Sequence, residues 1–180
     1  MIFPRLRKFT QESLPVAMSG VRMGEKLLQI GPDDPTLMGA IAAKVGLSGS
    51  AAAVAADESS AEKARAGAAK AAALVDLQVA PLDALPFPDD GFDVVVVHST
   101  KGWLASMADT ARLAVVRDAF RVLRSGGRII VIESPKTALA DVVELLSTAG
   151  FRPARLLAER EGYRFAEGLK SASQDRATVP

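Results

Sequence analysis

The sequence predicts a three-layer α/β fold, with a mainly parallel sheet covered by helices on both faces and finished by an antiparallel hairpin. Three observations carry this. From Lys26 onward, short apolar runs alternate with longer amphipathic or alanine-rich segments. Two of the runs, residues 92–97 (FDVVVV) and 128–132 (RIIVI), are almost wholly apolar, as strands buried on both faces of a parallel sheet are. The block ARLLAEREGYRFAEGLK carries two strand-like segments around Glu161 and Gly162, the pattern of a hairpin.

The elements follow in order. A short helix is expected around residues 10–18, ahead of Gly20 and Gly24. Residues 26–31 (KLLQIG) read as a buried strand. Asp34 is a good helix N-cap, Pro35 suits a first helical position, and Gly46 suits a C-terminal cap, so a helix runs between them. Residues 51–56 (AAAVAA) suit a helix by propensity, yet their place between Gly49 and the pair Asp57-Glu58 makes them a strand. Residues 59–73 are rich in Ala, Lys, Arg and Glu and form a helix, with residues 60–63 as its cap. Residues 74–80 (LVDLQVA) read as a third strand, and Pro86, Pro88 and Asp89-Asp90-Gly91 mark a loop before the fourth, at 92–97. Leu113, Val116, Phe120 and Leu123 form the stripe of a helix over 109–123, ended by Ser125-Gly126-Gly127. A strand at 128–132 and a helix at 137–149, closed by Gly150, precede the hairpin.

At 180 residues the chain has the size of one domain, and the expected division is an arm at 1–24, the main domain at 25–170 and a tail at 171–180. No cysteine and a single histidine exclude zinc fingers, iron–sulfur sites and a cysteine nucleophile. Twenty-two basic against 21 acidic residues leave a net charge of +1, so no field draws the chain to nucleic acid, and no nucleic-acid partner is expected. The basic start, with Arg5, Arg7 and Lys8, is not followed by an apolar signal core, and no run approaches the length of a membrane span. A cytoplasmic location is the expectation.

In such a sheet ligands bind beyond the carboxyl ends of the strands. The loop after the first strand, Gly31-Pro32-Asp33-Asp34-Pro35, has one glycine, two carboxylates and a proline, a poor cradle for phosphate. Asp33 and Asp34 either cap the helix or receive a cation. Asp57 and Glu58 follow the second strand, where a carboxylate accepts hydrogen bonds from ribose hydroxyls or caps a helix. Asp83 is either a turn residue or an acceptor for an exocyclic amine, with Leu82 and Leu85 flanking the ring. His98, the only histidine, and Trp103, the only tryptophan, fall together after the fourth strand. His98 is either structural or a candidate catalytic base.

Two blocks, DALPFPDDGFDVVVVHS (83–99) and AFRVLRSGGRIIVIESP (119–135), together with the terminal hairpin, resemble the class I S-adenosylmethionine-dependent methyltransferases, in particular the small-molecule type that includes ubiquinone and menaquinone C-methyltransferases. The resemblance covers roughly residues 20–170. It implies a Rossmann-like, seven-stranded sheet and S-adenosylmethionine as cofactor. It places the ribose on Asp57, with Glu58 beside it, and the adenine near Asp83 and Ala84. The methionine part falls against Gly31 and the His98 strand end, and Asp33 or Asp34 is a candidate for its ammonium. The first motif departs from the family's DxGxGxG: Gln29 stands for the acid, Gly31 is kept, and Asp33 and Pro35 replace the other glycines. Here Glu133-Ser134-Pro135 runs directly into the next helix, so no inserted lid follows the fifth strand. The acceptor is unidentified, and the expectations are a bulky acceptor, a homodimer that shares lids, or a binding or assembly module without turnover.

Overall fold

A computed structural model describes residues 12–171. The elements are α1 (Leu14–Met18), β1 (Lys26–Ile30), α2 (Pro35–Ala43), β2 (Ser50–Ala55), α3 (Glu58–Lys70), β3 (Asp76–Val79), β4 (Phe92–Ser99), α4 (Trp103–Ser106), α5 (Asp109–Val122), β5 (Leu123–Glu133), α6 (Val142–Ala149), β6 (Ala154–Arg160) and β7 (Tyr163–Leu169). One seven-stranded sheet runs in the order β3-β2-β1-β4-β5-β7-β6. Strands β1 to β5 are parallel, and β7 pairs antiparallel with both β5 and β6. The strand order reverses between β1 and β4, which opens a crevice at their carboxyl ends.

Burial on both faces explains the unbroken apolar runs. Leu28, Val95, Val97 and Ile129 meet Leu104, Val116 and Leu146 from α4, α5 and α6. On the other face Leu27, Val94, Val96 and Ile130 meet Val16, Leu37 and Ile41 from α1 and α2. Alanine fills β2 and α3 because little room is left there. A Cβ on Gly67 would lie 2.1 Å from the Pro35 carbonyl oxygen, and one on Gly39 2.4 Å from that of Gly67, so α2 and α3 touch backbone to backbone.

Several boundaries differ from expectation. The first helix starts at Leu14, and the expected residues 10 and 11 lie outside those described, as does the tail from 172. The N-cap of α3 is Asp57, whose extended backbone (φ −151°) lets its carboxylate accept from the Ser60 amide at 2.8 Å; residues 60–63 are already helical. β4 runs two residues further than expected and includes His98 and Ser99. β5 starts at Leu123, so Gly126 and Gly127 lie within a strand. The Gly126 amide donates to the Lys170 carbonyl at 2.7 Å and the Lys170 amide to the Gly127 carbonyl at 2.8 Å. The sixth helix starts at Val142, not at Thr137. The segment before it is held instead by Glu133, which accepts from the Leu139 amide at 2.9 Å, and by Arg164 Nη1, which donates to the Leu139 carbonyl at 2.9 Å.

The amino ends of the strands carry a set of ionic ties. Arg128 donates through Nη1 and Nη2 to Glu25, at 2.9 Å each. Asp93 accepts from the Lys26 amide at 2.7 Å and from Arg124 Nε at 2.5 Å. No helix among the described residues is long and apolar enough to cross a membrane.

Candidate functional site

The crevice is a cavity of about 590 Å³ at the carboxyl ends of β1 to β4. Its walls are Gly31 to Asp33 after β1, Ala55 to Asp57 and Ser60 after β2, Leu82 and Asp83 after β3, and Lys101, Trp103, Ser106 and Met107 after β4. A second cavity of about 560 Å³ lies beyond α2 and β2, lined mainly by alanine, glycine and valine with Asp76 alone ionisable. The first has the converging polar groups that mark a ligand site.

Asp57 caps α3 through one oxygen and faces the cavity, and the hydrogen bond from the Ser60 amide holds its carboxyl below the usual range. Asp83 also faces the cavity, with Leu82 beside it. Three other expected residues lie off the wall. Glu58 bonds Arg65 Nη1 at 2.5 Å, the Ala84 amide turns back to the Pro81 carbonyl at 3.2 Å, and Leu85 is buried in the core.

Asp33 and Asp34 have separate tasks. Asp33 accepts from Thr100 Oγ1 and from the Lys101 amide, both at 2.8 Å, and so ties the β1 loop to the β4 loop. Asp34 accepts from the amides of Thr36 and Leu37, both at 3.0 Å, as the cap of α2. Asp33 lines the cavity, whereas Asp34 lies off its wall and uses one oxygen for both cap bonds.

The structure places the His98 imidazole in the core, fully buried, so it does not reach the cavity as a base. Alternate residues of a strand share a face, and Val94 and Val96 already point toward α1 and α2. His98 Nε2 is 2.8 Å from Gln29 Oε1, and Gln29 Nε2 donates to the Met38 carbonyl at 3.1 Å. That orientation of the amide assigns the imidazole proton to Nε2 and leaves Nδ1 buried without a partner among the described residues. Burial pushes the imidazole down from 6.5 to about 4, against a smaller opposing pull from Asp34. His98 still contributes to the site through its carbonyl oxygen, which accepts the Trp103 indole N–H.

Gly31 has φ +61°, and a Cβ there would lie 2.6 Å from Trp103 Cζ2. The indole therefore stacks on the bare face of this glycine. The sequence did not single out Lys101, Ser106 or Met107, and gave Trp103 only its proximity to His98. Among the described residues no group of three or more acidic or histidine side chains could hold a metal.

This open parallel sheet with a terminal antiparallel pair, and its crevice at the switch of strand order, define a Rossmann-like domain of the methyltransferase type. Residues 36–131, just over half of the chain, match the family described as "Methyltransferase domain". The chain is 34% identical over 92 residues to a ubiquinone/menaquinone biosynthesis C-methyltransferase of Vibrio parahaemolyticus, a match covering 48% of this chain and 34% of that protein. It is 29% identical over 160 residues to the Cronobacter sakazakii protein of the same name, covering 84% of this chain and 62% of that one. The chain thus spans about a third of the first relative. A crystal structure of a SAM-dependent methyltransferase from Aquifex aeolicus superposes with a TM-score of 0.73 at 17% identity, over 86% of this chain and 87% of the other. The chain belongs to the class I S-adenosylmethionine-dependent methyltransferase family, whose cofactor is S-adenosylmethionine.

Of the residues expected to hold that cofactor, Gly31, Asp33, Asp57 and Asp83 line the cavity, and Glu58, Ala84 and the His98 ring do not. Asp57, Asp83 and Leu82, expected near the nucleoside, lie on the cavity wall. The methionine part was expected against Gly31 and the His98 strand end, and Trp103 covers the first and bonds the second.

Proposed function

We propose that the chain is a methyltransferase that takes its cofactor by the adenosine end, with the ribose on Asp57 and the adenine beside Leu82 and Asp83. The observation that carries this is the pair of carboxylates facing one cavity across the ends of β2 and β3. A carboxylate accepts from both hydroxyls of a ribose, and a second accepts from an exocyclic amine. When bound, the cofactor supplies an electrophilic methyl group for an acceptor whose identity is open. The ionisable groups that line the cavity are Asp33, Asp57, Asp83 and Lys101. With His98 buried, this set favours an acceptor that needs no neutral base to free its nucleophile. The role in the relatives' names, C-methylation in ubiquinone and menaquinone biosynthesis, makes an electron-rich ring carbon the first acceptor class to try.

Calorimetric titration with S-adenosylhomocysteine tests the cofactor site. Asp57→Ser keeps an oxygen for the helix cap but removes the charged acceptor, whereas Asp57→Ala removes both. We expect binding to weaken at least tenfold in both variants, with the melting temperature lowered only in Asp57→Ala. Binding unaltered in Asp57→Ser overturns the placement of the ribose. A second reading, a binding or assembly module that no longer turns over, is favoured by Trp103 over Gly31. Methyl release from S-adenosylmethionine labelled on the methyl group, in the presence of electron-rich quinols, separates the two readings.

A further inference from the structure

The two ends of the crevice are unlike. Asp83 accepts no hydrogen bond from the described residues, and one oxygen of Asp57 is engaged only as a helix cap. At the Gly31 end the space is narrowed by Trp103 and the acceptors are already engaged once, while Lys101 is the cation on that wall. The Trp103 ring lies 2.6 to 3.0 Å from where a Gly31 Cβ would be, and its N–H occupies the His98 carbonyl. Both Asp33 oxygens hold the β4 loop at 2.8 Å. Gln29 is buried and bonded to His98 and Met38.

The segment that carries the indole is pinned along its length. Ser99 Oγ accepts from the Leu104 amide at 3.2 Å, and Arg112 Nη2 donates to the carbonyls of Ala105 at 3.3 Å and Met107 at 2.6 Å. Gly102 turns the chain with φ +80°, packed so closely that a Cβ would lie 2.6 Å from Thr137 Cβ. Trp103 is therefore a fixed wall of the cavity, and the space left beside it, about 590 Å³, is still of ligand size.

We propose that Trp103 stands in the amino-acid end of the crevice and makes the site selective for adenosine nucleosides with a short 5′ substituent. A nucleoside with a zwitterionic tail enters only by displacing the indole. The inference rests on the adenosyl reading above and goes beyond it by naming the ligand class that the resting crevice takes.

The test is calorimetric titration of the full chain with 5′-methylthioadenosine and with S-adenosylhomocysteine, in the wild type, Trp103→Phe and Trp103→Ala, with tryptophan emission followed in the wild type. As the chain's only tryptophan, residue 103 reports on itself. The wild type is expected to bind 5′-methylthioadenosine at least tenfold more tightly, with emission unshifted. Trp103→Ala is expected to gain at least tenfold for S-adenosylhomocysteine while changing less than threefold for 5′-methylthioadenosine. Trp103→Phe, which keeps a smaller ring without the N–H, falls between. Saturating S-adenosylhomocysteine shifts the wild-type emission to longer wavelength as the indole reaches water. Equal or tighter wild-type binding of S-adenosylhomocysteine with unshifted emission overturns the inference and leaves the adenosyl reading standing. No binding of either nucleoside, by the wild type or by variants with native circular dichroism, overturns the adenosyl reading and the inference with it.

Discussion

Replacing Gln29 or His98 alone should cost stability that replacing both restores. The two side chains are fully buried and share one 2.8 Å hydrogen bond beneath the crevice. Gln29→Leu strands the imidazole N–H and removes the donor to the Met38 carbonyl; His98→Leu strands the Gln29 amide oxygen. A buried polar group left without its partner costs ~1–3 kcal/mol, while replacing both partners with apolar groups of similar shape is close to neutral. Each single variant should therefore lose ~2 kcal/mol, which at this chain length lowers the melting temperature by ~4–8 °C. The double variant should stay within ~1 kcal/mol of the wild type, giving a coupling of ~3–4 kcal/mol in a double-mutant cycle. Urea unfolding of the four proteins, followed by far-UV circular dichroism, reads these values directly. Single losses that simply add in the double variant, to within ~0.5 kcal/mol, would show that the pair is not the coupled unit drawn here.

The same imidazole predicts a pH dependence. Its pKa is about 4 in the folded chain against 6.5 as a free group, so between those values the unfolded chain binds the extra proton. Stability is then fully present above pH 6.5 and falls as pH drops to about 4, at up to ~1.4 kcal/mol per unit. Burial raises the Glu133 carboxyl, which acts in the opposite sense, so the measurement is the difference between the wild type and the Gln29→Leu/His98→Leu chain. Equal slopes in the two proteins would contradict it. Gly67→Ala drives a Cβ to 2.1 Å from the Pro35 carbonyl oxygen. Overpacking of ~1–3 kcal/mol should outweigh the ~1 kcal/mol gained in helix propensity, lowering the melting temperature by several degrees. Gly91→Ala, whose Cβ would meet Pro88 only at 3.5 Å, is the control and should shift it little.

The valines of β4 and the isoleucines of β5 could be read directly because strands covered on both faces leave no polar alternation to confuse them. Position rather than composition identified β2 despite its helix-forming alanines, from their place between Gly49 and the pair Asp57-Glu58. Local signals with two meanings were misread. Gly126 and Gly127 look like a helix stop, but their backbone groups pair with Lys170, more than forty positions away. Asp57 and Ser60 both suit a cap, and only the extended backbone at Asp57 decides between them. At the site, Asp57 and Asp83 face the cavity, whereas the His98 ring does not. The sequence left His98 either structural or a base, and counting by twos from Val94 puts its ring on the face covered by α1 and α2. Trp103 had no such signal. Its role depends on the ring folding back five residues to the His98 carbonyl and across to β1, which no periodicity records.

The Arg128–Glu25 and Arg124–Asp93 ties lie at the foot of the sheet, away from the crevice mouth. Added salt screens exposed ion pairs and leaves short contacts between neutral groups almost untouched. Of the two ties, Arg124–Asp93 is the more exposed and should weaken first as ionic strength rises, whereas the largely buried Arg128–Glu25 pair is screened much less and the indole, pinned mainly by carbonyls and amides, keeps its seat.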